Sequence, residues 1–174
     1  YTPLHICAAK NFVAMAFLLT EHNADTKILN TNKLSALETA KNFDSEDVLF
    51  FLTDPKRNKS FALFKIKNYP ELIKMLESDP EILPLQDPKG QTLYHLSVLS
   101  DMDFLKKLVN FKQGIDIQDN KGETPLFKAI FLNKTESAEI LIHAGADVNI
   151  PDENNFTPLF VAVNRKNDRI KDLL

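Results

Sequence analysis

The side chains that could carry out chemistry are few and scattered along the 174 residues. None of the four histidines is followed by another at the spacing of one helical turn, and HExxH and Cys-x-x-Cys motifs are absent, so no metal site is expected. The single cysteine, Cys7, follows His5 by two residues, but a nucleophilic thiol requires an electropositive and accessible setting. A packed, unreactive Cys7 is favoured, and no cofactor is predicted.

Paired carboxylates could in principle act as general acid and base. Asp44, Glu46 and Asp47 lie where a helix is predicted to begin, and acidic side chains at a helix N-terminus are stabilised by its dipole. Asp152 and Glu153 lie in a predicted solvated loop. No catalytic residue is therefore predicted, and the segment is not expected to be an enzyme by itself.

Composition excludes further classes. The chain has 21 Lys and Arg against 24 Asp and Glu, which argues against the broad basic surface of a nucleic-acid-binding domain. Its only dense basic cluster, Lys56 to Lys59, is interpreted as a solvated loop. The four glycines, where average usage gives roughly twelve, disfavour glycine-rich nucleotide-binding folds. No apolar run is long enough for a membrane span, and one cysteine is typical of a reducing compartment such as the cytoplasm.

A short string of residues recurs along the chain and indicates the helices that position these side chains. The four-residue string Thr2-Pro3-Leu4-His5 returns, with changes, in copies whose first residues are Ser35, Phe61, Thr92, Thr124 and Thr157. The steps between first residues are 33, 26, 31, 32 and 33. A fixed period of this size is the signature of a repeat architecture.

Each string is typical of a helix start, because Thr or Ser can cap a helix and Pro is favoured at its first position. A second amphipathic helix follows each copy, with apolar residues at i, i+3, i+4 spacing. The predicted second helices are 13–19, 47–52, 71–76, 104–109, 137–142 and 168–174. Gly114 and Gly145 suit the left-handed residue that ends a helix.

This pattern resembles the ankyrin repeat, and the likeness is nearly continuous from Thr124 to Asn149. The resemblance implies an all-α ankyrin-repeat solenoid of stacked antiparallel helix pairs with projecting hairpin-like fingers. It also implies that His5 and His95 hydrogen-bond between loops of adjacent repeats. The chain is predicted to form a single domain, 1–174, with approximate repeats 1–32, 33–58, 59–88, 89–121, 122–154 and 155–174, of which the first and last are incomplete and the third is irregular.

The resemblance further implies a non-catalytic module that binds a partner protein or peptide on its concave face and fingers. Apolar and aromatic residues at the concave positions favour recognition over a purely structural spacer, because interfaces concentrate their energy in such anchors. The predicted partner-binding residues on the concave face are Phe43, Tyr69, Leu99, Phe131, Leu132 and Arg165. Those on the fingers are Lys121, Glu123 and Phe156. Nucleic acid, a membrane span and a small-molecule substrate are not expected.

An alternative stays open: the segment is the substrate-targeting arm of a larger multidomain enzyme or of a secreted bacterial effector, with the active site elsewhere. The absence of an initiator Met suggests a piece of a longer protein. The leaning toward Lys, Asn, Ile and Phe is similar to ankyrin effectors of intracellular bacteria, which would place the chain in the host-cell cytosol.

Overall fold

The computed structural model describes residues 1–55 and 58–174, so Lys56 and Arg57 of the basic cluster lie outside the described residues. Across those two ranges the chain forms twelve α-helices and one short 3₁₀ helix, without a β-strand. The search of these residues finds no helix that combines the length and the apolar character needed to cross a membrane. The all-α prediction is confirmed.

Five helices begin at the recurring string, as predicted. Each starts directly after its Thr or Ser, whose backbone is extended, and in the fifth copy the Thr124 hydroxyl accepts a hydrogen bond from the Phe127 N–H at 3.1 Å. This bond satisfies one of the orphan donors of the first turn. The five first helices are α1 (Pro3–Lys10), α3 (Ala36–Asn42), α7 (Leu93–Ser100), α9 (Pro125–Phe131) and α11 (Pro158–Asn164).

A second helix follows in every pair and matches its predicted range to within about three residues. Its apolar stripe packs back on the first helix, as in α10, where Ala138 and Leu141 are fully buried against α9. The second helices are α2 (Val13–Glu21), α4 (Glu46–Thr53), α6 (Tyr69–Ser78), α8 (Met102–Leu108), α10 (Thr135–His143) and α12 (Asp168–Lys171).

The third copy starts three residues earlier than the sequence predicts. Its first helix, α5 (Lys59–Lys65), begins after Asn58, so Phe61 lies inside the helix. In the helix pairs that begin at Thr2, Ser35 and Thr124, a residue with left-handed backbone conformation lies nine positions after the cap. Lys67, with φ of 58°, lies nine positions after Asn58, so Asn58 occupies the cap position of the third copy. The prediction of Phe61 as the start was wrong because Asn58 replaces the usual Thr-Pro signal.

The chain divides into two compact units, 1–78 and 79–174. The first unit contains α1 to α6, and the second contains the 3₁₀ helix Pro80–Ile82 and α7 to α12. In each unit the core consists of the facing apolar stripes of neighbouring helix pairs, where side chains such as Leu63, Leu72, Leu105 and Leu126 have no exposed surface. The single-domain boundaries and the six repeat limits remain a prediction.

Small residues occupy the place where the first helices come closest to their neighbours. Cys7, Ala40, Ser97, Ala129 and Ala162 are exposed by 3% or less. Burial raises the pKa of the Cys7 thiol, although a backbone hydrogen bond opposes this effect. Cys7 is therefore kept as a neutral packing residue, as the sequence predicts.

The fingers are short loops of five residues, each closed by the same bonds. They comprise 30–34, 87–91, 119–123 and 152–156, and in each one the N–H of the first residue donates to the carbonyl of the fifth. The first residue is Asn or Asp, and its Oδ1 accepts the N–H groups of the third and fifth residues. Successive fingers in the second unit are joined by two bonds, from Asn120 N–H to the Lys89 carbonyl and from Glu153 N–H to the Lys121 carbonyl, both at 3.1 Å.

Replacing Leu141 tests the packing of the helix pairs. Leu141 has no exposed surface, so Leu141→Ala leaves a cavity and is expected to lower the free energy of unfolding by about 2 to 5 kcal/mol. Urea denaturation followed by circular dichroism measures the change. Leu159→Ala is the control, because Leu159 is 45% exposed and its truncation removes far less packing. Equal stability of Leu141→Ala and the parent would contradict the assigned helix packing.

Two glycines provide a matched test of finger stacking. Gly122 and Gly145 both have positive φ, at 71° and 92°, so alanine is strained at each by about 1 to 2 kcal/mol. A Cβ at Gly122 would also lie 2.6 Å from the Glu153 backbone nitrogen, whereas a Cβ at Gly145 would have no neighbour within 4 Å. Gly122→Ala is therefore expected to destabilise the chain more than Gly145→Ala in the same urea experiment. Equal losses would show that the fingers do not need their close approach.

Candidate functional site

A groove with a volume of about 620 Å³ lies beside helices α7 and α9 in the unit 79–174. Its walls come from the ends of these helices and from the fingers 87–91 and 119–123. Five of the nine residues predicted from the sequence to bind a partner line it: Leu99, Lys121, Glu123, Phe131 and Leu132. The structure thus brings these five residues together in one concavity.

Three apolar side chains form the exposed strip of the groove. Leu99 is 40% exposed, and Phe131 and Leu132 are each 41% exposed. Phe131 ends α9, and Leu132 caps it before the chain turns away at Asn133, whose φ is 55°. The helix therefore ends at two apolar residues that are partly exposed to solvent.

The Phe131 ring is held on two sides. It stacks on Phe127, which is only 2% exposed, with ring centroids 6.5 Å apart and planes 12° from parallel. The guanidinium of Arg165, the residue after α11, lies 4.5 Å from the Phe131 ring centroid. A cation in this position is worth about 0.5 to 1 kcal/mol at an exposed site. Phe131 is thus an oriented surface ring, and the predicted contact residue Arg165 lies over it, outside the lining of the groove.

An ionic network connects the finger 119–123 to α9. The Lys128 ammonium lies 2.5 Å from an Asp119 carboxylate oxygen and 3.1 Å from one of Glu123. The three side chains are 12%, 3% and 13% exposed. Burial alone would raise the pKa of Asp119, but the Lys128 ammonium and the N–H groups of Lys121 and Glu123 outweigh it and lower that pKa. The predicted contact residue Glu123 therefore has its carboxylate engaged within the chain.

The His95 imidazole also holds the finger 119–123 in place. Its Nδ1 accepts the Thr92 N–H at 3.1 Å, and its Nε2 donates to the Glu123 carbonyl at 2.9 Å. His5 makes the matching bond to the Leu34 carbonyl, also at 2.9 Å, so both histidines join a helix start to the next finger as expected. Burial lowers the pKa of His95 to about 4, opposed by its bond to Glu123. The ring is neutral at physiological pH.

The remaining predicted residues lie elsewhere. Phe43, which follows α3, is 58% exposed in the unit 1–78. Tyr69 begins the second helix α6 and has its ring centroid 5.9 Å from that of Phe64, so it does not occupy the position expected for it. The three-residue shift of the third copy is the reason. Phe156 stacks on Phe160 at 4.7 Å, outside the lining of the groove.

Two lysines that line the groove were not predicted from the sequence. Lys128 had not been selected because it lies inside the apolar helix α9, yet a lysine among apolar residues and a few positions after Asp119 and Glu123 is the pattern of an internal ion pair. Lys89 was missed because it belongs to the preceding finger, and only the stacking of fingers brings it to the groove. In the described ranges 1–55 and 58–174, no group of three or more His, Cys, Asp or Glu residues could hold a metal ion.

Comparison with known proteins agrees with this architecture. A family model for ankyrin repeats, three copies, matches residues 60–152, and a model for a single ankyrin repeat matches residues 1–31. A stretch of 70 residues is 34% identical to "Poly [ADP-ribose] polymerase tankyrase" of Caenorhabditis elegans. That match covers 40% of this chain and 3% of the relative, so the similarity concerns a small part of that protein.

The neutral state of His95 predicts a pH-dependent stability. The folded-state pKa of about 4 lies below the unfolded value near 6.5, so the unfolded chain gains the proton first as pH falls. Stability present above pH 6.5 is therefore lost toward pH 4, by about 2 kcal/mol between pH 7 and pH 5. Urea denaturation at the two pH values measures this loss in the parent and in His95→Gln.

His95→Gln is expected to reduce the pH dependence by that amount. The control is Leu159→Ala, because it replaces an exposed residue without removing a titratable group and is expected to keep the parental slope. Identical slopes in the parent and His95→Gln would contradict the burial of a neutral imidazole.

Proposed function

The chain belongs to the ankyrin-repeat family, and from this premise we propose that it is a non-catalytic protein-interaction module whose groove in residues 79–174 binds a segment of a partner protein. The observation that carries the proposal is the exposed strip of Leu99, Phe131 and Leu132 in one cavity of about 620 Å³. Ligand sites typically enclose about 300 to 1,000 Å³, so the groove has room for a few side chains of a partner.

The strip has the features of an interaction hot spot. Its side chains are apolar and large, they adjoin each other in a concavity, and Phe131 is fixed by Phe127 and Arg165 before any partner arrives. A ring that is already oriented loses little conformational freedom on binding, which favours affinity. The polar fingers around the strip supply the rim that excludes water from such a centre.

A second candidate function is that the module targets a longer enzyme or effector to its substrate, with the active site outside these residues. The observation that favours it is the match to 3% of a relative whose printed name is that of a polymerase. The groove would then have the same task of binding a protein segment. In either case we propose a reducing compartment, the cytoplasm or, for a bacterial effector, the host-cell cytosol, and neither nucleic acid nor a small-molecule substrate as the ligand.

The double variant Phe131→Ala with Leu132→Ala tests the groove. Both side chains are about two-fifths exposed, so their truncation is expected to weaken partner binding by roughly 2 kcal/mol or more and to leave folding nearly unchanged. A partner recovered with the chain as bait would be titrated by calorimetry against the parent and the variant.

Leu159→Ala is the matched control, since Leu159 is exposed to a similar degree in the same unit but does not line the groove. It is expected to retain parental affinity. If the double variant melts far below the parent, its side chains belong to the core and the proposal fails.

A further inference from the structure

We infer that the groove selects a partner segment with one bulky apolar side chain between two acidic residues. The inference rests on the proposed function and adds the chemistry of the partner. Three features carry it: the sign of the exposed charges at the groove, the pairing of its carboxylates within the chain, and the position of two exposed cations on different elements beside the apolar strip.

The exposed charges at the groove are positive although the chain as a whole has a net charge of -3. Lys89 and Lys121 line the cavity and are exposed, and the exposed Arg165 lies over Phe131. Within the described ranges, no carboxylate lies within 4.0 Å of the Lys121 ammonium or of the Arg165 guanidinium. These two cations are available to a ligand.

The carboxylates that line the groove are, unlike these two cations, paired within the chain and poorly exposed to a ligand. Asp119 is 3% exposed and Glu123 is 13% exposed, and both are paired with Lys128. One Asp119 oxygen also accepts two backbone N–H groups of its own finger. An approaching ligand therefore meets Lys121 and Arg165 at the surface, while the Asp119 and Glu123 carboxylates are largely covered and share the ammonium of Lys128.

The two cations belong to different elements beside the strip. Lys121 lies on the finger 119–123, which lines the groove and precedes α9, whereas Arg165 lies over Phe131, the last residue of α9. An apolar ligand side chain on the strip can therefore have an acidic neighbour on each side, one toward Lys121 and one toward Arg165.

Selection from a library of random peptides of about twelve residues tests this inference. Peptides that bind the parent chain are sequenced, and representatives are labelled with fluorescein for affinity measurements by fluorescence polarisation. The variants are Leu132→Ala, the pair Lys121→Gln with Arg165→Gln, and Lys107→Gln as a control for an exposed lysine on α8 outside the groove. Circular dichroism verifies that each variant is folded.

The expected result is that Leu132-dependent peptides are enriched in Asp or Glu on both sides of a Phe, Leu, Ile or Met. Their affinity is expected to fall about fivefold or more in the Lys121 and Arg165 pair and to stay unchanged in Lys107→Gln. The difference is expected to shrink when NaCl is raised from about 0.05 M to about 0.5 M, because salt screens exposed charges.

The other outcomes would overturn either the inference alone or the inference together with the proposed function. Leu132-dependent peptides without acidic enrichment would overturn the inference and leave the proposed function standing. A library without any Leu132-dependent peptide would overturn the proposed function and the inference together. Displacement of bound peptide by a fluorescein-free oligothymidine strand, in a manner that depends on Lys121, would assign the cations to phosphate and overturn the acidic-peptide inference.

Discussion

A helix pair in this chain has one apolar face that it can bury only against a neighbouring pair, and the rest of the structure depends on this constraint. In α9, packing against neighbouring helices buries Leu126, Phe127 and Ile130, which are exposed by 2% or less. One residue after Ile130, Phe131 is 41% exposed because the helix ends and its neighbours no longer cover it. The same packing that builds the core thus leaves an oriented apolar strip at its edge, and the candidate groove is a by-product of the stacking.

The fingers solve a different problem, because they hold an irregular backbone without a strand ladder. In the finger 119–123, Asp119 satisfies two N–H groups, Lys128 compensates its charge, and His95 holds the Glu123 carbonyl. The fourth residue of each finger has a left-handed backbone conformation. These residues are Lys33, Gly90, Gly122 and Asn155. Glycine occurs at the two fingers against which a further finger packs, where a Cβ would lie 2.6 Å from the neighbouring backbone nitrogen. At Lys33 and Asn155 no later finger of the same unit is described, and a side chain is accommodated.

Local signals made most of the fold predictable, whereas contacts between distant segments did not. The caps Thr2, Ser35, Thr92, Thr124 and Thr157 act on the next turn of chain, so their helices start where expected. The start after Asn58 was missed because an asparagine without a following proline is a weaker signal, and the error carried Tyr69 onto the wrong helix. The pairing of Glu123 with Lys128 depends on how the finger folds back over α9, which spacing alone does not determine. The exposed strip was found from its repeat positions, but its enclosure by two fingers required the structure.

The titratable groups around the groove are used to hold the fold together. His95 is kept neutral by burial and both of its nitrogens are hydrogen-bonded, so it has no atom left for proton transfer. Lys128 is paired with both carboxylates, and burial raises the pKa of the Tyr94 hydroxyl, which donates to the Leu108 carbonyl. Every one of these groups is committed to holding a helix or a finger. The surface that remains for a ligand is the apolar strip, the exposed Lys121 in the groove lining and the exposed Arg165 over Phe131.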